Sequence, residues 1–328
     1  MKRSALLTLL LIVCVAVLAI CALFIFGSSL KITYAHASEY TAGGTVLNTV
    51  PEALDVNWLD GSVTIAYHAE NTVVLSETSP RDIPEDMTLR WWLDGATLRV
   101  QYAKNSVFKP FTSLNKALTL TLPEGTRLRS AVISATSADL IVPDLCAESL
   151  KLESTSGDVR ASAETVTFTA SSTSGDIQAA LTGAEKISAT ATSGSISLTQ
   201  AGQAAEICAS STSGSVSVQA ENAARLTAGT TSGAISADAE TAGSVKLSST
   251  SGRVAVRLGS FTDMKIDTTS GDVDATLPAA PGYSGQITTT SGAIECAQPL
   301  QKSGQTYTCG DGSASIGIHT TSGSVRIR

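Results

Sequence analysis

The tripeptide Thr-Ser-Gly recurs with its glycine at positions 157, 175, 194, 214, 233, 252, 271, 292 and 323. Successive spacings are 18, 19, 20, 19, 19, 19, 21 and 31 residues, and a degenerate copy, Thr136-Ser137-Ala138, stands 19 residues before Gly157. A period this regular belongs to repeat architectures, in which each unit is too small to bury its own apolar face and must stack on the next. Around Gly194, Ile187 and Ala189 lie at −7 and −5, with Ile196 and Leu198 at +2 and +4. Around Gly252 the same positions hold Val245, Leu247, Val254 and Val256; around Gly323 they hold Ile316, Ile318, Val325 and Ile327. Alternation on both sides of a glycine is the pattern of two short strands with one buried face, and the 3.6-residue period of a helix is absent.

The predicted fold is an all-β solenoid of about ten coils over 131–328, spanning roughly 48 Å at about 4.8 Å per coil. Composition agrees: 5% aromatic residues suit a thin core, and 16% charged residues fall below the usual figure of about 25%. Large aliphatics occupy the strand positions, with Ala, Ser or Thr at −3 and Ser at −1. This taper predicts a tight corner in which the −1 hydroxyl is buried. The arc from +4 to the next −7 carries Glu164, Glu185, Glu206, Glu221 and Asp238 and the 297–315 insertion, so it reads as the variable, solvated side.

Residues 45–130 are also β in pattern. Leu54, Val56 and Trp58 alternate before Asp60-Gly61, Val63 and Ile65 follow at +2 and +4, and Asp94-Gly95 marks a hairpin. This part is expected to be a β cap closing one end of the solenoid, because solenoids need atypical ends to block strand-to-strand aggregation.

At the N-terminus, a five-residue head with Lys2 and Arg3 precedes an uncharged apolar run over 6–26, followed by a linker over 27–44. Twenty-one residues of helix would cover about 32 Å, enough for a bilayer core. The positive-inside rule then places the C-terminal part outside the cytoplasm, as a single-pass protein of the cell membrane. A cleaved signal peptide is the competing reading, since Ala35-His36-Ala37 has the A-x-A form, but its apolar region would be shorter. Cys296 and Cys309 bracket a twelve-residue segment and are candidate disulfide partners in an oxidising compartment. Cys146 and Cys208 stand several repeats apart and are not expected to pair.

The repeat resembles that of a bacterial family known as putative adhesins, membrane-anchored or secreted β-strand-repeat proteins. The residues that carry the resemblance are Thr230-Thr231-Ser232-Gly233-Ala234-Ile235, Thr268-Thr269-Ser270-Gly271-Asp272-Val273 and Thr173-Ser174-Gly175-Asp176-Ile177, with the entry strands at 54–65 and 118–123. It covers roughly 45–328 and implies a β-repeat fold and surface attachment. No catalytic residues come with it.

The most regular feature beyond the core is threonine at −2: Thr136, Thr155, Thr173, Thr192, Thr212, Thr231, Thr250, Thr269, Thr290 and Thr321. Position −4 adds Ser134, Ser171, Thr190, Ser210, Ser248 and Thr288. Stacked in register, these form a hydroxyl ladder. β-propensity and Thr-Thr pairing account for it structurally; recognition of a repetitive polymer such as a surface glycan, or of ordered water, accounts for it functionally. Asp158, Asp176, Asp272 and Asp274 raise the question of Ca²⁺, but Ser195, Ser215 and Ala234 interrupt the column, and solvated turn aspartates explain it. No metal or cofactor is expected.

A net charge of −7 with no basic stripe argues against nucleic acid. His36, His68 and His319 are dispersed, and no zinc or phosphate-loop motif occurs. The patch Lys265, Asp267, Asp272 and Asp274 reads as a solvated face. The expectation is therefore a non-enzymatic envelope or cell-surface solenoid, binding an envelope protein or glycan or acting as a rigid spacer. An envelope-stress sensor working with a membrane partner and a carbohydrate-active β-helix enzyme are the alternatives.

Overall fold

The computed structural model describes residues 32–105 and 113–328. Apart from two three-residue 3-10 turns, Ala37–Glu39 and Glu85–Met87, every described element is a strand. The expected anchor over 6–26 lies outside the described residues. Among those described, no helix is long and apolar enough to cross a membrane.

From the Gly157 coil to the Gly271 coil, repeats stack in sequence order, parallel and in register. Val216 pairs with Ile196 below and Ile235 above, and Leu226 pairs with Ile207 and Val245. The alternation seen in the sequence is what places the side chains: Ile187, Ala189, Ile196 and Leu198 are each at most 2% exposed. Burying one such aliphatic is worth about 1.5–3 kcal/mol, so the stack is held by many small contributions distributed along its length. A single apolar cluster runs from Leu54 to Ile327. The strand Arg127–Ser154 passes through the expected boundary near 130 and pairs with 53–64, so cap and solenoid share one core.

The arc between +4 and the next −7 is not simply a solvated side. Asn222 and Ala223 pair with Gln203 and Ala204 below and with Thr241 and Ala242 above. Ala184, Ala204, Ala223 and Ala242 face inward at 0 to 3% exposure. The column ends in Phe261, which pairs with Ala242 and packs against the core. The outward residues of this third side remain charged but are partly neutralised by arginine: Arg127–Glu164 at 3.1 Å, Arg225–Glu206 at 3.5 Å and Arg257–Asp238 at 2.5 Å.

Sequence order fails at both ends of the stack. At the C-terminal end, Met264 and Ile266 pair with Ile316 and Ile318, which pair in turn with Gly285 and Ile287. Across the core, Val273 pairs with Val325, and Val325 with Ile294. The last coil, around Gly323, is therefore threaded between the Gly271 and Gly292 coils. The 31-residue spacing is the length of chain needed to turn back and enter that slot. The 297–315 insertion is not looped out on the arc, as its position in the repeat had suggested. It forms a hairpin, Gln301–Ser303 with Thr306–Gly310, and the second strand pairs antiparallel with Gly282–Gln286 to cover the outer edge.

The N-terminal end is built the same way. The coil over Ala53–His68 lies between the 130–141 segment on one side and the strands Thr97–Gln101 and Ala117–Pro123 on the other. Those outer strands are covered antiparallel by Arg90–Asp94, joined by the expected Asp94-Gly95 turn, and by 74–78. Gly95 has φ 58°, the left-handed conformation that such a turn requires.

Candidate functional site

The corner recurs in nearly every coil, and its geometry follows from three consecutive constraints. First, a Cβ on Gly175, Gly194, Gly214, Gly233 or Gly252 would lie well under 3.0 Å from the carbonyl oxygen of the glycine one coil below. Glycine is needed for close stacking, since none of these has positive φ.

Second, the buried hydroxyl is at −3, not at −1 as the size taper had suggested. Ser154, Ser172, Ser211, Thr230, Ser249, Thr268 and Thr320 are 0 to 8% exposed, whereas the serines at −1 all face solvent. Each −3 hydroxyl accepts the N–H of its own glycine, at 2.8–3.1 Å. In several coils it also donates to the carbonyl one coil down, as from Ser211 to Gly194 at 2.9 Å and from Thr230 to Gly214 at 3.0 Å. The chain turns between −3 and the glycine, and strict alternation is suspended there, so two successive residues point outward.

Third, the aspartates at +1 satisfy backbone groups of the neighbouring coil. Asp139 accepts the Asp158 N–H at 2.9 Å, Asp158 that of Asp176 at 2.9 Å, and Asp176 that of Ser195 at 2.7 Å. Asp272 accepts the Ser324 N–H at 2.8 Å across the threaded coil. These carboxylates are thereby occupied. Among the described residues no group of three or more His, Cys, Asp or Glu is placed to hold a metal ion.

The result of the three constraints is the outward column. All ten threonines at −2 are exposed. Their order in space is that of the coils, so Thr321 stands between Thr269 and Thr290, as the bond from Thr321 N to Thr269 O (3.2 Å) and that from Thr290 N to Thr321 O (3.2 Å) record. Beside this column, Ser210, Gly229, Ser248, Asp267, His319 and Thr288 occupy −4, with Thr288 Oγ1 2.9 Å from His319 Nδ1. The face is a polar strip with steps of one coil and no enclosed cavity. His36 and His68 lie elsewhere, before and within the cap.

The charged patch resolves into ion pairs: Lys265–Asp267 at 3.2 Å and Arg253–Asp274 at 2.6 Å. Arg326 of the threaded coil reaches Asp272 and Asp274 on one side and Glu295 on the other, at 3.3–3.9 Å. Cys296 and Cys309 are unbridged in this structure. Cys309 Sγ donates to Gln298 Oε1 at 3.3 Å, the oxygen that also receives the Tyr283 hydroxyl at 2.8 Å. Both thiols lie against that hydroxyl, whose pKa is pushed up first by burial and then by the two cysteines. Cys146 and Cys208 are also free.

Sequence reasoning missed a buried ion pair in the cap. Lys116 is 0% exposed; its Nζ meets Glu77 at 2.6 Å and the carbonyls of Met87 and Tyr102, each at 2.6 Å. The rings of Tyr102 and Trp58 face it at 4.1 and 4.8 Å. Burial lowers the lysine's pKa and the Glu77 carboxylate opposes that shift. No periodicity marks Lys116, because it stands just before the strand Ala117–Pro123, outside the alternating run.

The family model described as Toastrack DUF4097 matches residues 48–227 and again 203–328. No curated protein matches the chain. One similar solved structure is a putative cell adhesion protein from Clostridium sporogenes, at 12% identity and a TM-score of 0.18, covering 88% of this chain and 99% of that one. Another is a putative adhesin from Parabacteroides merdae, at 11% identity and a TM-score of 0.31, covering 88% of this chain and 96% of that one. With the family model spanning nearly all of the repeat region in two overlapping matches, the chain belongs to the Toastrack DUF4097 family.

Proposed function

We propose that this chain is a non-enzymatic, membrane-anchored β-solenoid of the cell surface or envelope, whose −2 threonine face binds a repetitive polymer such as a surface glycan. The apolar run over 6–26 serves as the single-pass anchor and leaves the repeats extracytoplasmic. The observation that carries the reading is the exposed threonine column itself, with all ten side chains outward. Stability does not demand it: the corner is closed by the −3 hydroxyl and the glycine, and the −2 side chain makes neither contact. Hydroxyls stepped at about 4.8 Å offer a polymer the same donor-acceptor pair at every coil, so weak contacts add along its length.

Glycan-array binding by the full chain, compared with a variant carrying Thr192→Val, Thr212→Val and Thr231→Val, tests the reading. Loss of most of the binding with an unchanged denaturation midpoint is expected. Binding that survives the triple substitution would remove the threonine face from consideration.

A further inference from the structure

Aromatic residues make up only 5% of the chain, yet four rings gather on the outer wall of the cap. Tyr34 and Tyr40 have centroids 4.7 Å apart, Tyr40 and Trp92 5.7 Å, and His36 and Trp92 5.6 Å. Tyr34, Tyr40 and Trp92 are half-buried and His36 is exposed. They are not core residues displaced outward. Trp92 is paired with Arg99 on the outer side of its hairpin, while its neighbour Trp91 pairs with the buried Val100. The Tyr34 hydroxyl is fixed, donating to Ala103 O at 3.1 Å and accepting the Asn105 N–H at 3.0 Å. The rings are therefore held as one pad over the wall.

The pad lies where the described chain begins. Ile32 packs against the core, and only residues 27–31 separate it from the end of the apolar run at Phe26. The six Cα steps from Phe26 to Ile32, even fully extended, reach no more than about 22 Å. If the run spans a bilayer, the wall bearing the pad is tethered within that distance of the hydrocarbon edge. Rings with an apolar body and a polar handle, Trp and Tyr above all, partition to this headgroup layer.

We propose that Tyr34, His36, Tyr40 and Trp92 form a membrane-seating pad that rests in the lipid headgroup layer. It would fix the solenoid's attitude relative to the membrane, so that the threonine column starts near the surface at Thr136 and runs away from it. The inference rests on the anchor reading given above, and the two can fail separately.

The test uses the full chain in proteoliposomes, with lipids spin-labelled either at the headgroup or near the end of the acyl chain, and reads tryptophan emission. Flotation of the protein with the vesicles checks the anchor. Seating predicts stronger quenching by the headgroup label than by the deep label, with most of that quenching lost in Trp92→Phe, a change that keeps the ring packing. Tyr34→Ser combined with Tyr40→Ser should reduce it as well. Flotation with no Trp92-dependent quenching overturns the seating and leaves the anchor standing. Failure to float overturns both. A Trp92 emission change on adding soluble oligosaccharide, without quenching by either lipid label, assigns the pad to sugar stacking and also overturns the proposal.

Discussion

Thr230 and Thr231 are neighbours in sequence and opposites in energetics. Thr230 Oγ1 accepts the Gly233 N–H at 3.1 Å and donates to Gly214 O at 3.0 Å in a buried corner, whereas Thr231 faces solvent. Thr230→Val keeps the volume but strands both backbone groups, and each buried unsatisfied group costs about 1–3 kcal/mol. Thr231→Val should stay within about 0.5 kcal/mol of wild type. Urea denaturation midpoints of the two variants test the contrast, and equal midpoints would contradict the assignment of −3 as the bonded position. Gly214→Ala places a methyl against the Gly194 carbonyl, which the register of the neighbouring coils gives no room to avoid. A loss of about 3 kcal/mol, at the upper end for overpacking, is expected in the same measurement. At this scale the sequence was informative about glycine and about the outward threonine, but misleading about serine. Both −1 and −3 are small and polar, and only the path of the backbone between them decides which one turns inward.

The elements that depart most from a simple repeat are the two threaded coils. The last coil pairs along both of its edges, with 263–268 and 283–289 on one face and with 273–275 and 294–296 on the other. Deleting 313–328 therefore removes two interfaces and leaves two parallel edges unpaired. Hydrogen exchange should show lost protection in both 263–276 and 283–296, while the middle coils around Gly194 and Gly214 stay protected. If only 283–296 were affected, the coils would be stacked in sequence order after all. The N-terminal threaded coil adds a pH dependence. Asp60 precedes its turn, and burial alone would raise that carboxyl's pKa. Bonds from Ser113, Tyr102 and the Asn115 and Lys116 backbone outweigh burial and hold it below the ordinary 3.8. A folded pKa below the unfolded one means stability that is present above the unfolded value and lost as pH falls through the folded one. Asp60→Asn should lower stability at neutral pH and flatten the acid limb of the stability curve below about pH 4, as followed by thermal unfolding across pH.

Over the whole molecule, threading and capping leave only short edges at the ends of the stack. The outermost C-terminal strands are Ile294–Cys296 and Gln301–Ser303, the latter three exposed residues including Lys302, and the outermost N-terminal strands are Thr41–Ala42 and Thr45–Leu47. Very short edge strands suppress end-to-end pairing, so the sedimentation coefficient of the detergent-solubilised chain should not rise through end-to-end growth as concentration increases. The all-β class, the parallel in-register stacking of the middle coils, the outward threonine column and the Asp94-Gly95 hairpin were legible in the sequence, because period-two alternation and turn chemistry act between near neighbours. The order of coils at the two ends, the paired third side of each coil and the buried Lys116–Glu77 pair were decided by tertiary structure. Every coil offers nearly the same apolar edge to every other, so the local pattern specifies that coils stack and in what register. Which coil lies on which depends on connection lengths and end caps, whose partners lie many residues away.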